Sequence, residues 1–154
     1  MSQEKLTIAP MVLEDLDGVM QIERDSFLYP WSRNSFQEEL LTNRFAYYIT
    51  AKDADGFIIG YAGIWILFDE GHITTIAVKP LCRHKGVGSL LLAHLLKKAQ
   101  LEGACKVFLE VRDSNLQARR IYERFGFKVI GKRKRYYFDE DALIMAWFLE
   151  KVKG

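Results

Sequence analysis

Alternating and β-branched apolar residues predict seven strands along the chain. Leu6 and Ile8 alternate with Lys5 and Thr7, and the later segments are rich in β-branched and aromatic residues. These six further strands span about residues 45–52, 57–68, 72–78, 106–112, 128–137 and 142–149. Turns containing glycine and acidic residues separate the second, third and fourth strands, and the acidic turn 139–141 joins the last two. Consecutive antiparallel hairpins are therefore expected.

Apolar residues at helical spacing predict two helices in the first third of the chain. The first spans Leu13 to Ser26. The second begins after Ser32, a good N-cap residue, and runs to about Leu41. Trp31 and Phe36 stand at the two positions of a hydrophobic staple around this cap. We expect a bulky corner between the two helices.

Two more helices are predicted in the second half. The third runs from Gly86 to about Glu102 and ends at Gly103, a residue suited to a left-handed stop. Its apolar stripe consists of Val87, Leu91, Leu95 and Ala99, flanked by Leu92 and Leu96. The fourth follows Ser114, which forms a capping-box pattern with Gln117 and leaves Asn115 free to face a ligand.

The resulting order, β-α-α-β-β-β-α-β-α-β-β, predicts an α+β protein with one mixed sheet and helices on its faces. It requires one parallel crossover, from strand 72–78 through helix 86–102 to strand 106–112. Alternation within strand 106–112 separates its side chains onto two faces. One face carries Val107, Leu109 and Val111, and the other carries Phe108, Glu110 and Arg112.

Composition narrows the class of protein. A chain of 154 residues, 49% apolar and 27% charged, suits one soluble globular domain. No signal peptide is visible, and the apolar run 57–68 is shorter than the roughly 18 residues of a membrane span, so we expect a cytoplasmic protein. The net charge of +2 is too mild to argue for nucleic-acid binding, and no DNA partner is expected. Cys82 and Cys105 fit no metal spacing, so no metal site and no disulfide are predicted.

Residues 73–89 combine a strand, a glycine turn and a helix start, which together favour phosphate binding. A Walker-type loop is rejected, because lysine precedes glycine at Lys85-Gly86 and no hydroxyl is placed for Mg²⁺. A dinucleotide fingerprint has Leu91 where a third glycine belongs, although Glu110 imitates the ribose-binding acid. A third interpretation, Arg83-x-x-Gly86-x-Gly88, places a cation before bare backbone and suits the pyrophosphate of coenzyme A.

The Arg83–Gly88 segment resembles the Q/R-x-x-G-x-G/A motif of the GCN5-related N-acetyltransferase (GNAT) superfamily. Family members often carry glycine two places after the first basic residue, where His84 and Lys85 fill this turn. Other segments together resemble the branch of bacterial ribosomal-protein-alanine N-acetyltransferases and their archaeal and eukaryotic relatives. These segments are Phe27-x-x-Pro30-Trp31-Ser32, Asp69-Glu70-x-His72-Ile73, Ile76-Ala77-Val78, Leu109-Glu110-Val111-Arg112-x-Ser114-Asn115, Gly126-Phe127 and Tyr136-Tyr137-x-Asp139-x-x-Asp141-Ala142.

The resemblance implies a fold and a cofactor. The GNAT fold is a central mixed, mostly antiparallel sheet of about seven strands with a splayed parallel pair and about four flanking helices, here one domain over residues 1–154. Acetyl-CoA is expected where the parallel strands splay, without a metal. The cofactor-binding residues implied are Ile76, Ala77, Val78, Arg83, His84, Lys85, Gly86, Val87, Gly88, Ser89 and Asn115. A monomer or weak dimer is expected.

The resemblance also assigns chemistry: Glu110 as general base, Tyr122 as general acid, and Trp31, Tyr136 and Tyr137 as walls of a peptide slot. The implied substrate is a protein N-terminus, most simply the alanine of a small-subunit ribosomal protein. An α-amine has a pKa near 7.7–8.0 against about 10.4 for lysine, so deprotonating lysine costs roughly 3 kcal/mol more at neutral pH. A lone carboxylate therefore suits an α-amine better.

Other functions stay open on the sequence. The same scaffold could acetylate a lysine side chain or a small amine, or bind acyl-CoA without catalysis. Without the resemblance, Glu110 is an ordinary solvated strand residue and Tyr122 a core aromatic. His72 is interpreted as structural or solvated. Residues 132–135 are basic and are interpreted as an exposed strand end, with ribosomal RNA or an acidic partner as the alternative.

Overall fold

A computed structural model of the protein describes residues 5–137 and 139–149. In these ranges it contains β1 (Thr7–Pro10), α1 (Leu16–Ser26), α2 (Arg33–Leu41), β2 (Ala46–Lys52), β3 (Ile58–Leu67), β4 (Glu70–Val78), α3 (Val87–Leu101), β5 (Lys106–Arg112), α4 (Leu116–Arg124), β6 (Lys128–Tyr137) and β7 (Glu140–Phe148). Short 3-10 helices occupy Leu13–Asp15 and Pro80–Cys82. The strand order is β1-β2-β3-β4-β5-β7-β6, and the predicted mixed α+β sheet with a parallel pair is confirmed.

The contacts divide the chain into two compact units. Unit 1 contains the chain up to Trp65 together with Thr74–Leu95, and unit 2 contains Ile66–Ile73 and the chain from Leu96. Each unit is described by itself below. The single domain over residues 1–154 stays a prediction.

Unit 1 is built on antiparallel pairing of β1, β2 and β3. Its core joins the apolar stripe of α1 to aromatic side chains, and it comprises Leu16, Val19, Met20, Ile22, Phe36, Tyr48 and Tyr61. The close approach of Tyr48 to β3 requires Gly63, because a Cβ there would lie 2.2 Å from the Tyr48 ring.

The start of α2 forms as its local sequence predicts. The Ser32 Oγ accepts a hydrogen bond from the Ser35 backbone N–H at 3.1 Å, which confirms Ser32 as the N-cap. The Trp31 and Phe36 rings lie 5.2 Å apart, so the hydrophobic staple is confirmed as well.

The predicted bounds of the first helix, Leu13 to Ser26, were too long, because a separate 3-10 turn at Leu13–Asp15 comes before α1. The stripe predicted for α3 is buried, with Leu91, Leu95 and Ala99 fully so.

Unit 2 contains the parallel ladder. It covers three residue pairs, Glu70↔Lys106, Gly71↔Val107 and His72↔Phe108. On its other edge β5 pairs antiparallel with β7 along its whole length. The predicted alternation of β5 is confirmed: Val107, Leu109 and Val111 are buried, whereas Phe108, Glu110 and Arg112 face the other side.

Two predictions about turns in unit 2 were wrong. Asn115, and not Ser114, caps α4, because the Ser114 hydroxyl and backbone N–H both donate to Glu140, at 2.8 and 3.2 Å. The acidic segment is also more than a turn. Glu140 and Asp141 already belong to β7, and Arg112 forms ion pairs with Asp139 at 2.9 Å and Glu140 at 3.1 Å.

Candidate active site

The loop that enters α3 turns sharply through left-handed backbone. His84 has a φ of 64° and Gly86 a φ of 82°. The Gly86 carbonyl accepts a hydrogen bond from the Leu90 N–H at 3.0 Å, so Gly86 is the flanking residue and the helix begins at Val87. The first backbone N–H groups of a helix have no partner within it, and the helix dipole is positive there.

The space beside this helix start is open. A Cβ at Gly86 would meet no protein atom within 4 Å, and one at Gly88 would meet only Val78 Cγ2, at 3.7 Å. Packing within the protein therefore leaves room for a side chain at Gly88, and it does not explain why glycine stands there. Lys85 is exposed nearby and adds positive charge. Bare amides, a helix N-terminus and a cation together match the chemistry of the predicted coenzyme A pyrophosphate.

Arg83 is engaged within unit 1. Its Nε donates to the Val78 carbonyl at 3.0 Å, and one terminal nitrogen donates to Ser26 Oγ at 3.2 Å. The guanidinium therefore ties the end of β4 to the end of α1. Its contact with the cofactor stays a prediction.

Ile76, Ala77 and Val78 form the end of β4. The parallel ladder stops at His72, four residues before Ile76, so it does not engage the backbone of this segment. The Ala77 carbonyl packs close to Gly60, where a Cβ would approach it to 3.1 Å. Backbone contacts from residues 76–78 to a cofactor stay a prediction.

Glu110 lies at the centre of a polar cluster in unit 2. Its side chain is only 6% exposed, and its Oε2 lies 2.6 Å from His72 Nε2. Its other oxygen lies 3.7 Å from the Arg133 guanidinium. The His72 ring stacks on Phe108 at 4.5 Å with an interplanar angle of 12°, which fixes its orientation. Glu110 is therefore a nearly buried carboxylate beside an imidazole, and not a solvated strand residue.

Tyr136 and Tyr137 stand beside this cluster. Their rings meet edge to face at 4.9 Å, with Arg133 over Tyr136 at 5.7 Å and Arg112 over Tyr137 at 4.5 Å. Burial, and after it nearby negative charge including that of Glu110, raises the pKa of both phenols. The two rings thus form a neutral aromatic surface near the carboxylate.

Tyr122 lies on α4, half-buried, with its ring 5.8 Å from that of Phe127. Burial raises the pKa of its phenol to about 12, so the hydroxyl stays protonated at neutral pH. Asn115 at the start of the same helix uses its Oδ1 to accept the Ala118 N–H at 3.1 Å. A contact between Asn115 and a cofactor would therefore come from its amide nitrogen.

The buried carboxylate of Glu23 fixes the backbone of Trp31, and no role was predicted for Glu23 from the sequence. The Trp31 backbone N–H donates to Glu23 Oε2 at 2.8 Å, and the Tyr61 hydroxyl donates to the other oxygen of Glu23. Glu23 is only 3% exposed, and burial raises the pKa of its carboxyl. Glu23 stands among the buried apolar residues of α1, and a carboxylate at such a position was the signal in the sequence that could have identified it.

A pocket of about 370 Å³ lies in unit 1 beside α2. We call it the α2 pocket. It is lined by Trp31, Ser35, Glu38, Glu39, Thr42, Asn43 and Trp65. Of these residues only Trp31 was predicted to line a site.

Within residues 5–137 and 139–149, no three His, Cys, Asp or Glu side chains gather in a way that could hold a metal ion. Cys82 and Cys105 are free, half-buried thiols. None of the helices in the described part of the chain is long and apolar enough to cross a membrane.

Comparison with known proteins identifies the family. Residues 16–127 match the model of the acetyltransferase (GNAT) family. A candidate ribosomal protein bS18-alanine N-acetyltransferase of Bacillus subtilis (strain 168) is 43% identical over 143 residues, which cover 92% of this chain and 94% of that protein. The ribosomal protein bS18-alanine N-acetyltransferase of Salmonella typhimurium is 34% identical, covering 91% and 95%.

The fold agrees with that assignment. The crystal structure of the ribosomal-protein-S18-alanine N-acetyltransferase from Escherichia coli superposes with a TM-score of 0.86 at 30% identity, covering 96% of each chain. Ard1 from Thermoplasma volcanium has the same fold, with a TM-score of 0.86 at 24% identity. Both the sequence match and the shared fold extend over nearly the whole chain, and this chain belongs to the acetyltransferase (GNAT) family.

Proposed function

We propose that the protein transfers the acetyl group of acetyl-CoA to the N-terminal α-amine of a protein, and that its substrate is the N-terminal alanine of a ribosomal protein. The 2.6 Å contact between Glu110 and His72 carries the proposal, because it holds a nearly buried carboxylate in one orientation, as a general base requires. The names of the relatives in Salmonella typhimurium and Escherichia coli support the substrate. All of these roles are proposed for one domain over residues 1–154.

Acetyl-CoA, when bound, supplies an activated acyl group whose leaving group is a thiolate. Residues 84–89 would hold its pyrophosphate through backbone N–H groups and the charge of Lys85. Ile76–Val78 would hold the pantetheine arm through backbone groups, with Arg83 and Asn115 as further contacts. The room beside Gly86 and Gly88 supports this placement.

The proton steps fall to three side chains. Glu110 accepts the proton that the substrate amine loses as it forms the new amide bond, either directly or through a water. His72 is proposed as a positioning residue that holds Glu110 Oε2. Tyr122 donates a proton to sulfur as the carbon–sulfur bond breaks, and its pKa of about 12 keeps that proton available throughout the working range.

Tyr136, Tyr137 and Trp31 are proposed to orient the peptide. Their rings offer apolar surface with few charges, which suits a backbone that must be placed but not neutralised. The α-amine is the favoured nucleophile because its pKa of about 8 leaves a useful neutral fraction at pH 7–8, unlike lysine.

Acetylation of matched peptides tests the proposal. We expect thiol release from acetyl-CoA with an alanine-initiated peptide and none with the same peptide blocked at its N-terminus, even when it contains lysine. Mass spectrometry of the product should place the acetyl group on the α-amine. Turnover of the blocked lysine peptide alone would instead indicate a lysine acetyltransferase, and silence with every free N-terminus would overturn the proposal.

A further inference from the structure

The α2 pocket has an acidic lining. Glu38 and Glu39 supply two carboxylates, while the remaining lining side chains are indoles, hydroxyls and one amide. No basic side chain contributes to the wall. The pocket therefore presents negative charge to whatever enters it.

Glu39 is held in one orientation by neutral donors on β2, on β3 and in the segment that follows α2. Its Oε1 accepts the Trp65 Nε1–H at 2.7 Å and the Tyr48 hydroxyl at 3.0 Å. Its Oε2 accepts the Asn43 amide at 2.6 Å. The Tyr48 hydroxyl is itself fixed by Thr74 Oγ1 at 2.8 Å. These donors fix the position of the charge but do not neutralise it.

The basic residues that flank α2 are engaged elsewhere. Arg33 pairs with Asp17 on α1, and the Arg44 guanidinium lies over the Phe45 ring at 5.3 Å. Among the ion pairs of the described residues, none involves Glu38 or Glu39. The negative charge of the pocket thus has no cation of its own in this part of the chain.

The two indoles add a second form of cation recognition. Trp31 and Trp65 stand in the wall with the carboxylates, and Trp65 is 39% exposed. A cation over an indole face is attracted by the negative charge of the ring face, and more strongly when it is desolvated. A rigid carboxylate beside indoles suits a guanidinium, which can donate to one and stack on the other.

We propose that the α2 pocket binds a guanidinium or ammonium side chain of the substrate protein, at a position following the N-terminal residue that is acetylated. This rests on the proposed function. Trp31 connects this proposal with the proposed function, because it lines the α2 pocket and is also proposed as a wall of the peptide slot. Ribosomal proteins carry many arginines and lysines, since they bind RNA phosphates, so a cation close behind the N-terminus is chemically reasonable.

Paired peptides test the pocket. Each pair has an N-terminal alanine and differs only in arginine or citrulline at one later position, because citrulline keeps the shape and removes the charge. Wild-type protein should show a kcat/KM about tenfold higher for arginine at one position. The double variant Glu38→Gln/Glu39→Gln should reduce this preference to within about twofold, and each single variant should reduce it to an intermediate value.

The matched control is Glu14→Gln, an exposed glutamate of the same unit outside the pocket, which should keep the full preference. Equal kcat/KM for both peptides at every position would overturn the proposal that the α2 pocket binds a cation. A preference for arginine that survives the double variant would overturn it as well.

Fluorescence anisotropy of labelled peptides separates this failure from failure of the proposed function. If no peptide is acetylated, the proposed function fails. Tighter binding of the arginine peptide to wild type than to the double variant would still support the pocket, and equal binding would overturn it.

Discussion

Glu23 in unit 1 and Glu110 in unit 2 are both nearly buried carboxylates, yet their partners differ. Glu23 receives hydrogen bonds from a backbone N–H and a phenol, two groups that hold their protons. Glu110 instead meets an imidazole and, more loosely, a guanidinium. Burial alone therefore does not mark a catalytic carboxylate. The imidazole and guanidinium partners are the difference that leads us to propose Glu110, and not Glu23, as the reactive carboxylate.

The largest expected effect is on turnover at Glu110. Glu110→Gln keeps the shape but removes the proton acceptor, so kcat should fall by about 100- to 1,000-fold. The free energy of unfolding should change by less than about 1 kcal/mol, because the amide can still bond to His72. Steady-state kinetics and urea unfolding measure the two quantities. A kcat within about threefold of wild type would refute the role of Glu110.

Glu23→Ala should show the reverse pattern. It leaves the Trp31 N–H and the Tyr61 hydroxyl without their acceptor, which costs about 2–3 kcal/mol of unfolding free energy. At saturating peptide kcat should stay within about threefold of wild type, while KM for the peptide rises because Trp31 loses its anchor. An unchanged urea midpoint, or a loss confined to kcat, would contradict this assignment.

Two tyrosines sharpen the same contrast. Tyr122→Phe removes the proposed proton donor and should lower kcat about 10- to 100-fold, with coenzyme A binding measured by calorimetry unchanged. Tyr61→Phe removes a donor to Glu23 and should affect stability instead, by about 1 kcal/mol.

The pH dependence of kcat tests Tyr122 separately. Since its pKa is about 12, kcat should show no decline between pH 8 and pH 10. A falling limb in that interval, absent in Tyr122→Phe, would show that this phenol titrates too early to be the donor proposed.

His72 is expected to have a smaller effect. His72→Phe retains stacking on Phe108 and removes the nitrogen beside Glu110, so kcat should fall about tenfold and the pH of half-maximal kcat should move. His72→Gln should recover part of the rate, because its amide can still bond to the carboxylate. A purely structural role predicts lower stability with an unaltered pH profile.

The smallest effect is the pH dependence of stability at Glu23. Burial raises the pKa of its carboxyl above the unfolded value, so the folded state binds the proton more tightly. The resulting stabilisation is present below the unfolded pKa and is lost as pH rises through the folded pKa. Compared with Glu23→Gln, wild-type protein should therefore lose unfolding free energy from about pH 4 upward. Parallel curves for the two proteins in urea titrations would contradict this.

Local signals in the sequence predicted local structure well. Ser32 as a cap, the Trp31–Phe36 staple and the alternation along β5 each depend on residues a few positions apart, and each is confirmed. The Ser114 cap failed because its competitor, Glu140, lies 26 residues away in sequence. The site residues named from the family remain untested predictions.

The polar contacts of the candidate site could not be predicted because they depend on strand register. His72 meets Glu110 across 38 positions, and only the parallel ladder brings the two strands together. The α2 pocket similarly requires Trp65 at the end of β3 to reach back to Glu39, 26 residues earlier. A periodic pattern predicts which face a side chain occupies, but it does not identify the residue opposite.

His84 occupies left-handed backbone that a glycine would adopt without strain. An L-residue there disfavours the folded turn by about 1 kcal/mol, but it also narrows the range of shapes available to the chain before folding. The turn in front of α3 is therefore shaped when the protein folds. The nucleotide tail that we propose to bind there would meet a loop that is already formed, so little conformational freedom would remain to be lost on binding.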